Sequence, residues 1–203
     1  MAPSVKAPAA YFASQGCQIV ATDAAPEEAA RLGWIQGAQH AAGVAALRHP
    51  HLCPDDLFER NVRFQSCDMN HVTDDLTDFD FCWSACAFEH LGSIELGLKF
   101  IERIISCLKP GGWAVHTTEF NISSNDETVS EGGTVLFRRR DFEALASRLD
   151  AMGHTVAPFN FNAGQGVVDG YIDVAPYRPE PHLKLAIGGF EATSFGLIVQ
   201  RGE

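Results

Sequence analysis

The chain has 203 residues, of which 46% are hydrophobic and 20% are charged, a composition typical of a globular protein with a buried core. Its 26 acidic and 15 basic residues give a net charge of −11. Such a surface repels phosphate backbones and anionic membranes, so we predict no nucleic-acid partner and no membrane partner.

The cysteines indicate the compartment. Six are present, and several lie in apolar, strand-like runs, which favours free thiols in a reducing environment over disulfides. Cys86 is interpreted as one of these packing residues. Residues 7–13 are too short for a signal peptide, and no apolar stretch approaches the roughly 20 residues that span a bilayer. We therefore expect a cytoplasmic protein.

Helices and strands alternate through the first part of the chain. The pattern predicts a helix over residues 7–16, a strand over 17–22 that stops at Asp23, helices over 26–32 and 54–60, and a strand over 62–67 that ends at Asp68. Proline near the start of the first helix and glycine just past its end suit its two termini.

The second part continues the alternation. It predicts strands from Phe79 and over 113–118, 156–161 and 194–199, helices over 93–108 and 141–152, a polar loop over 121–133, and an irregular insertion over 162–192 that can serve as a substrate lid. We take residues 1–203 as one α/β domain, with a mostly parallel sheet covered by helices on both faces.

Two neighbouring segments locate the candidate site. Residues 79–92 (FDFCWSACAFEHLG) indicate a buried strand that ends in a polar loop at Glu89 and His90. Residues 108–116 (LKPGGWAVH) indicate a helix end, a turn and a new strand. Together they form one strand–helix–strand unit, and open α/β sheets bind ligands at the carboxyl ends of their strands. The site is therefore expected near Glu89, at the sheet edge that also receives Asp23 and Asp68.

With these segments, the chain resembles the class I S-adenosylmethionine-dependent methyltransferases. The matching residues are 18–23 (QIVATD), 62–69 (VRFQSCDM), 79–92 and 108–115. The resemblance implies a Rossmann-like sheet with an antiparallel C-terminal strand and S-adenosylmethionine as cofactor. It also implies roles for five residues: Asp23 would hold the ribose, Asp68 and Met69 would frame the adenine, and Ser84 and Ala85 would line the methionine moiety.

One family feature does not match. The family opens with a strand and a Gly-x-Gly-x-Gly loop, whereas six residues without glycine precede the first predicted helix here. In the family that strand is central, between the strands that end here at Asp23 and Glu89. Two expectations remain open: the natural chain begins further upstream, or it is a degenerate member that binds the cofactor poorly.

The polar residues at the strand ends suggest catalytic roles. His90 is a candidate general base for an acceptor hydroxyl or amine, and the alternative is a structural residue that caps the next helix or bonds a carbonyl. Glu89 is a second candidate for the catalytic site, either as a contact of the cofactor or as a support for a residue that touches it, rather than as the base. Glu119 is a candidate carboxylate on the substrate side, and the alternative is a solvated loop residue. Residues 49–53 (HPHLC) lack the spacing of known zinc sites, so no metal is predicted.

The sequence therefore predicts a methyltransferase that acts on an oxygen or nitrogen of a small-molecule or glycan-like acceptor. The first alternative is a non-catalytic binding or scaffolding domain that has lost the cofactor loop. The second alternative is a nicotinamide-dependent dehydrogenase. The chain does not contain the Tyr-x-x-x-Lys motif that would support it. The three arginines at 138–140 are either a contact for an anionic substrate or a solvated face.

Overall fold

The computed structural model describes residues 7–35, 40–178 and 182–203. The chain divides into two compact units, Met1–His71 and Val72–Glu203. That residues 1–203 form one domain stays a prediction. Every helix in the described ranges is too short or too polar to cross a bilayer.

The first unit pairs two strands. Its elements are α1 (Ala7–Ser14), β1 (Ile19–Asp23), α2 (Pro26–Arg31), α3 (Asp55–Asn61) and β2 (Val62–Ser66). β1 and β2 run parallel, with Ile19 opposite Val62 and Asp23 opposite Ser66. Acidic residues in the first turns of α2 and α3 suit the positive end of the helix dipole. These five elements confirm the predicted ones to within two residues.

The second unit is built around one long strand. Its elements are β3 (Phe79–Ala85), β4 (Gly92–Ser93), α4 (Ile94–Ile105), β5 (Leu108–Asn121), β6 (Glu131–Gly132), α5 (Arg139–Ala151), β7 (Thr155–Val156), β8 (Lys184–Ile187) and β9 (Phe190–Gln200). β3 runs parallel to β5, and β9 runs antiparallel to β5, β7 and β8. The predicted α/β fold and its antiparallel C-terminal strand are confirmed, whereas the sheet of this unit is mixed rather than mostly parallel, because β9 runs antiparallel to three of its strands.

The core of the second unit contains the apolar stripe of α4. Ile94, Leu98, Ile101 and Ile105 recur three and four positions apart in the sequence, as in an amphipathic helix, and all four are buried. Phenylalanine rings fill the space on the α5 side, where Phe142 stacks on Phe195 with ring centroids 4.5 Å apart. This packing holds β5, and with it the side chains at the carboxyl end of β3.

The structure differs from the sequence prediction in the insertion. Residues 184–200 form a β-hairpin, β8–β9, whose turn is Gly188–Gly189 with φ angles of 59° and 87°. The strand predicted over 156–161 is short because Phe159 and Phe161 leave the sheet and pack against Phe195. The prediction of an irregular insertion over 162–192 is therefore wrong for its last residues, 184–192, which belong to this hairpin.

Two smaller predictions also need correction. β3 was predicted to be buried, yet none of its residues is fully buried, because among the described strands it pairs only with β5. The helix predicted over 141–152 begins two residues earlier, at Arg139, so Asp141 lies inside the first turn of α5. Its carboxylate accepts a hydrogen bond from the backbone N–H of Arg138 at 2.8 Å, which stabilises the same helix end.

Candidate functional site

In the first unit, Asp23 at the end of β1 holds the loop that follows. Its Oδ1 accepts the backbone N–H of Ala24 at 2.8 Å, and its Oδ2 accepts the N–H of Ala41 at 2.7 Å. Each carboxylate oxygen has two lone-pair sites, so beside the bond from one described backbone N–H each can accept a further donor. The side chain is 24% exposed, which leaves it accessible to a ligand.

Asp68 lies at the same edge of this two-stranded sheet, because the N–H of Cys67 donates to the carbonyl of Asp23 at 2.8 Å. Its carboxylate accepts the N–H of Asn70 at 2.8 Å and lies 2.7 Å from Nδ1 of His71. Partial burial opposes ionisation, but the His71 and Asn70 contacts outweigh it and lower the pKa of Asp68. Met69 begins the single helical turn that follows and is half-buried.

In the second unit, Ser84 near the end of β3 contacts a buried histidine. Its Oγ lies 2.7 Å from Nδ1 of His116, the residue opposite it in β5. His116 is fully buried between the rings of Phe88 and Phe100, and this burial lowers its pKa to about 4. The imidazole is therefore neutral at physiological pH. Ala85, the last residue of β3, is exposed.

Glu89 is the most unusual side chain of the unit. It lies in a helical turn, Phe88–His90, directly after β3, and it is 0% exposed. Its Oε2 accepts a hydrogen bond from the Thr118 hydroxyl at 2.8 Å, whereas its Oε1 accepts none from any described residue. Burial raises the pKa of Glu89 to about 7, so this carboxyl group can gain or lose its proton near neutral pH.

Two further side chains lie beside Glu89. Ligand atoms of Cys86, Glu89 and Glu119 all lie within 4.8 Å of one another. Burial, followed by the charge of Glu89, raises the pKa of Glu119. Cys86 has a φ of 45°, in the left-handed region that non-glycine residues rarely adopt. Its backbone N–H donates to the carbonyl of Thr117 at 2.9 Å, which fixes this turn after β3.

The ring of His90 is oriented by the segment before α5. Its Nδ1 lies 2.7 Å from the carbonyl oxygen of Gly133, an acceptor, so Nδ1 carries the proton. Nε2 then carries the lone pair of the neutral ring. The structural alternative for His90 predicted such a hydrogen bond to a carbonyl group. The same contact is compatible with a role as base, because a neutral ring protonated at Nδ1 accepts a proton at Nε2.

The sequence missed three groups. Cys86 was assigned to packing, His116 was taken only as part of a strand, and His182 fell within the insertion predicted as a substrate lid. His182 Nδ1 lies 3.0 Å from the carboxylate of Asp173, which is 1% exposed. Both His182 and His90 act electrostatically on Glu119. Separations of roughly 30 to 90 residues along the chain conceal such proximity, because no local pattern reports it.

The arginines at 138–140 do not form an unpaired basic patch. Arg138 pairs with Asp141 at 2.8 Å, Arg139 pairs with Glu143 at 2.7 Å, and Arg140 pairs with Asp126 at 3.2 Å. These ion pairs stabilise the start of α5 and compensate the unfavourable position of cations at a helix N-terminus. They favour the solvated-face interpretation.

The fold is that of a Rossmann-like α/β protein, and comparison with known proteins gives its family. The chain is similar to the crystal structure of the [4+2]-cyclase SpnF, with 16% identity and a TM-score of 0.56, covering 96% of this chain and 71% of that one. It is also similar to a methyltransferase structure from Methanosarcina mazei, with 13% identity and a TM-score of 0.51, covering 94% and 85% of the two chains. These likenesses show the fold alone.

Residues 3–116, more than half of the chain, match the family described as a methyltransferase domain. The chain belongs to this family, whose cofactor is S-adenosylmethionine. No curated protein matches the sequence.

The residues present fit that cofactor in part. The two remaining lone-pair sites of Asp23 suit a pair of ribose hydroxyls. The first glycine of the chain is Gly16, after α1, so residues 7–15 contain no glycine-rich loop.

Proposed function

We propose that the chain transfers the methyl group of S-adenosylmethionine to an oxygen or nitrogen of a small-molecule or glycan-like acceptor. The observation that carries the proposal is the buried Glu89 carboxyl group, with one oxygen that accepts no hydrogen bond from a described residue, in a chain of the methyltransferase family. A hydroxyl or amine donor satisfies such an acceptor. The acidic net charge of −11 supports a small acceptor over a nucleic acid.

For cofactor binding, we assign the carboxylate of Asp23 to the ribose hydroxyls, and Asp68 with Met69 to the adenine. The support for Asp23 is its retained lone-pair capacity at the end of a parallel strand. Asp68 is 59% exposed and can accept a hydrogen bond from an adenine amino group.

Ser84 and Ala85 are assigned to the methionine moiety. The support is their position at the carboxyl end of β3, where an exposed alanine leaves room for an aliphatic chain. The Ser84 hydroxyl is held by His116, whose neutral ring adds no positive charge beside a sulfonium.

When bound, the cofactor supplies an electrophilic methyl group on a sulfonium. The chain then has to position the acceptor in line and exclude water, and positioning alone can supply much of the rate. Glu89 and Glu119 accept hydrogen bonds from the acceptor and orient it. As the acceptor oxygen or nitrogen forms its bond to the methyl carbon and the carbon–sulfur bond breaks, His90 takes the acceptor proton at Nε2.

The test is methyl transfer from S-adenosylmethionine with an isotope-labelled methyl group. The probes are three sets of acceptors: monosaccharides, amino sugars, and small phenols and amines. We expect label in a small-molecule product of at least one set, and the variant His51→Ala, altered at an exposed histidine of the first unit, should match the wild type. Absence of label from every set, in a chain that binds S-adenosylhomocysteine, would contradict transfer to these acceptors.

The second candidate function is a non-catalytic binding or scaffolding domain. The contacts of Asp23 favour it, because both oxygens of this carboxylate already accept backbone N–H groups, of Ala24 and Ala41, so Asp23 can serve the loop alone. A folded chain that binds no S-adenosylhomocysteine would support this candidate.

For localisation we propose the cytoplasm. All six cysteines are free, and Cys53, Cys67 and Cys107 are buried, which suits a reducing compartment.

A further inference from the structure

The side chains around Glu89 form a cluster with the chemistry of a metal site. The Cys86 thiol, the Glu89 carboxylate and the Glu119 carboxylate each offer one ligand atom, and these atoms lie within 4.8 Å of one another. Ligand atoms around one tetrahedral zinc ion lie about 3.3–3.8 Å apart, given metal–ligand bonds of about 2.0–2.3 Å.

An independent observation points to a ligand at this place. Glu89 is 0% exposed, yet its Oε1 accepts no hydrogen bond from any described residue. A buried carboxylate oxygen without a donor costs free energy that a cation would recover. The other oxygen is held by the Thr118 hydroxyl at 2.8 Å, an arrangement that orients the carboxylate in the way outer-shell hydrogen bonds orient metal ligands.

The backbone also holds the cysteine in an unusual conformation. Cys86 has a φ of 45° immediately after β3, and such backbone strain concentrates at functional sites. Its N–H is bonded to the carbonyl of Thr117 in the neighbouring strand β5, which carries Glu119 two residues further on. The fold thus fixes Cys86 and Glu89 in the segment directly after β3, and Glu119 in β5, the strand parallel to β3.

We propose that Cys86, Glu89 and Glu119 bind a divalent transition-metal ion. The combination of one thiol and two carboxylates points to zinc. A thiolate favours zinc over magnesium or calcium, which prefer oxygen ligands alone. Three protein ligands leave the fourth position of a tetrahedral ion for water or for an oxygen of a bound molecule, as in catalytic zinc sites. The proposal goes beyond methyl transfer: in a chain whose Glu89 and Glu119 hold the ion, the open position of the ion, rather than these two carboxylates, would contact a bound molecule.

The test is a titration of the reduced, full-length chain with Co²⁺, followed by absorption spectroscopy. Thiolate coordination gives a charge-transfer band in the near ultraviolet, and tetrahedral Co²⁺ gives visible bands. We expect one Co²⁺ per chain, both sets of bands, displacement by one equivalent of Zn²⁺, and no displacement by excess Mg²⁺. A wild-type chain that binds no Co²⁺, or binds it without the thiolate band, would overturn the proposal.

Matched variants locate the site. Cys86→Ser should abolish the thiolate band and weaken Co²⁺ binding at least tenfold, and Glu119→Gln should weaken binding at least tenfold while it retains the band. The controls Cys17→Ser and Glu131→Gln, at an exposed cysteine and an exposed glutamate, should bind as the wild type does. Equal binding by Cys86→Ser and Cys17→Ser would refute the assignment.

Glu89 is avoided in these variants because a change at a fully buried residue can prevent folding. Circular dichroism of each variant confirms that it is folded before the titration. The spectroscopic readout involves no methyl acceptor, so its failure is distinguishable from failure of the proposed methyl transfer.

Discussion

The acidic side chains at the strand ends of the two units differ in how they are satisfied. In the first unit, both oxygens of Asp23 accept backbone N–H groups, and both oxygens of Asp68 contact local donors. In the second unit, Glu89 is fully buried with one oxygen that no described residue bonds. The pKa of Asp68 is lowered, whereas burial raises that of Glu89 to about 7.

The difference separates two uses of the same residue type. A carboxylate that accepts backbone donors fixes a loop and remains charged, and it can add a hydrogen bond from a ligand without reorganisation. A buried carboxylate with one oxygen that accepts no hydrogen bond lowers the free energy of unfolding. It can bind a hydrogen-bond donor or a cation without first losing another partner. The first unit therefore suits recognition of a cofactor, and the cluster in the second unit suits chemistry.

The largest expected effect concerns His90, next to that cluster. His90→Ala should lower the turnover of methyl transfer about 100-fold, because the acceptor proton loses its base at Nε2. The measurement is initial rate with the labelled cofactor and the best acceptor of the panel, with His51→Ala as the control. Full activity in a folded His90→Ala chain would assign His90 a structural role, in which its Nδ1 contacts the carbonyl oxygen of Gly133.

Substitutions of Asp23 test the role in cofactor binding that is proposed for the first unit. Asp23→Ala should weaken binding of S-adenosylhomocysteine by about 1.5–3 kcal/mol, the value of a hydrogen bond to a charged group. Because Asp23 also holds the N–H groups of Ala24 and Ala41, Asp23→Asn serves as the second variant. It keeps one acceptor oxygen and removes the charge, so we expect an intermediate loss.

The control for both variants is Asp56→Ala, at a carboxylate that pairs with Arg60 on the surface. Calorimetric titration gives each dissociation constant. An unchanged constant in folded Asp23→Ala and Asp23→Asn chains would remove Asp23 from the cofactor site.

His116 gives a smaller effect, on stability rather than activity. Its pKa falls from 6.5 to about 4 in the folded chain because it is buried, so the unfolded chain binds the proton first as the pH decreases. The stability that His116 contributes is present above pH 6.5 and is lost as the pH falls towards 4. The free energy of unfolding should decrease by about 2 kcal/mol between pH 7 and pH 5 from this group.

The measurement is urea unfolding at pH 7 and pH 5 for the wild type and His116→Gln. Because the two chains share every other titratable group, the difference between their pH dependences isolates His116. Identical pH dependence in the two chains would mean that the imidazole is protonated without penalty.

The sequence predicted those parts of the fold that local patterns determine. The stripe from Ile94 to Ile105 gave α4, and Asp23 and Asp68 marked the ends of β1 and β2, because periodicity and turn residues act over a few positions. The β8–β9 hairpin was missed although Gly188–Gly189 is a recognisable hairpin turn, since the flanking residues were assigned to an irregular insertion.

The site was predictable to a lesser extent. The strand pattern placed Glu89 and His90 at the edge of the sheet, but it gave no sign that Glu89 is fully buried or that Thr118 holds it. Burial and the proximity of Cys86 to Glu119 arise from the pairing of β3 with β5, which joins residues about 30 positions apart. Such contacts depend on the folded register and not on local composition.

The central claim is that this chain uses S-adenosylmethionine, and calorimetric titration of S-adenosylhomocysteine into the purified 203-residue chain tests it most directly. We predict micromolar binding of one molecule per chain, weakened in Asp23→Ala and unchanged in Asp56→Ala. No binding heat at several temperatures, from a chain that unfolds cooperatively, would contradict the claim and favour the non-catalytic alternative.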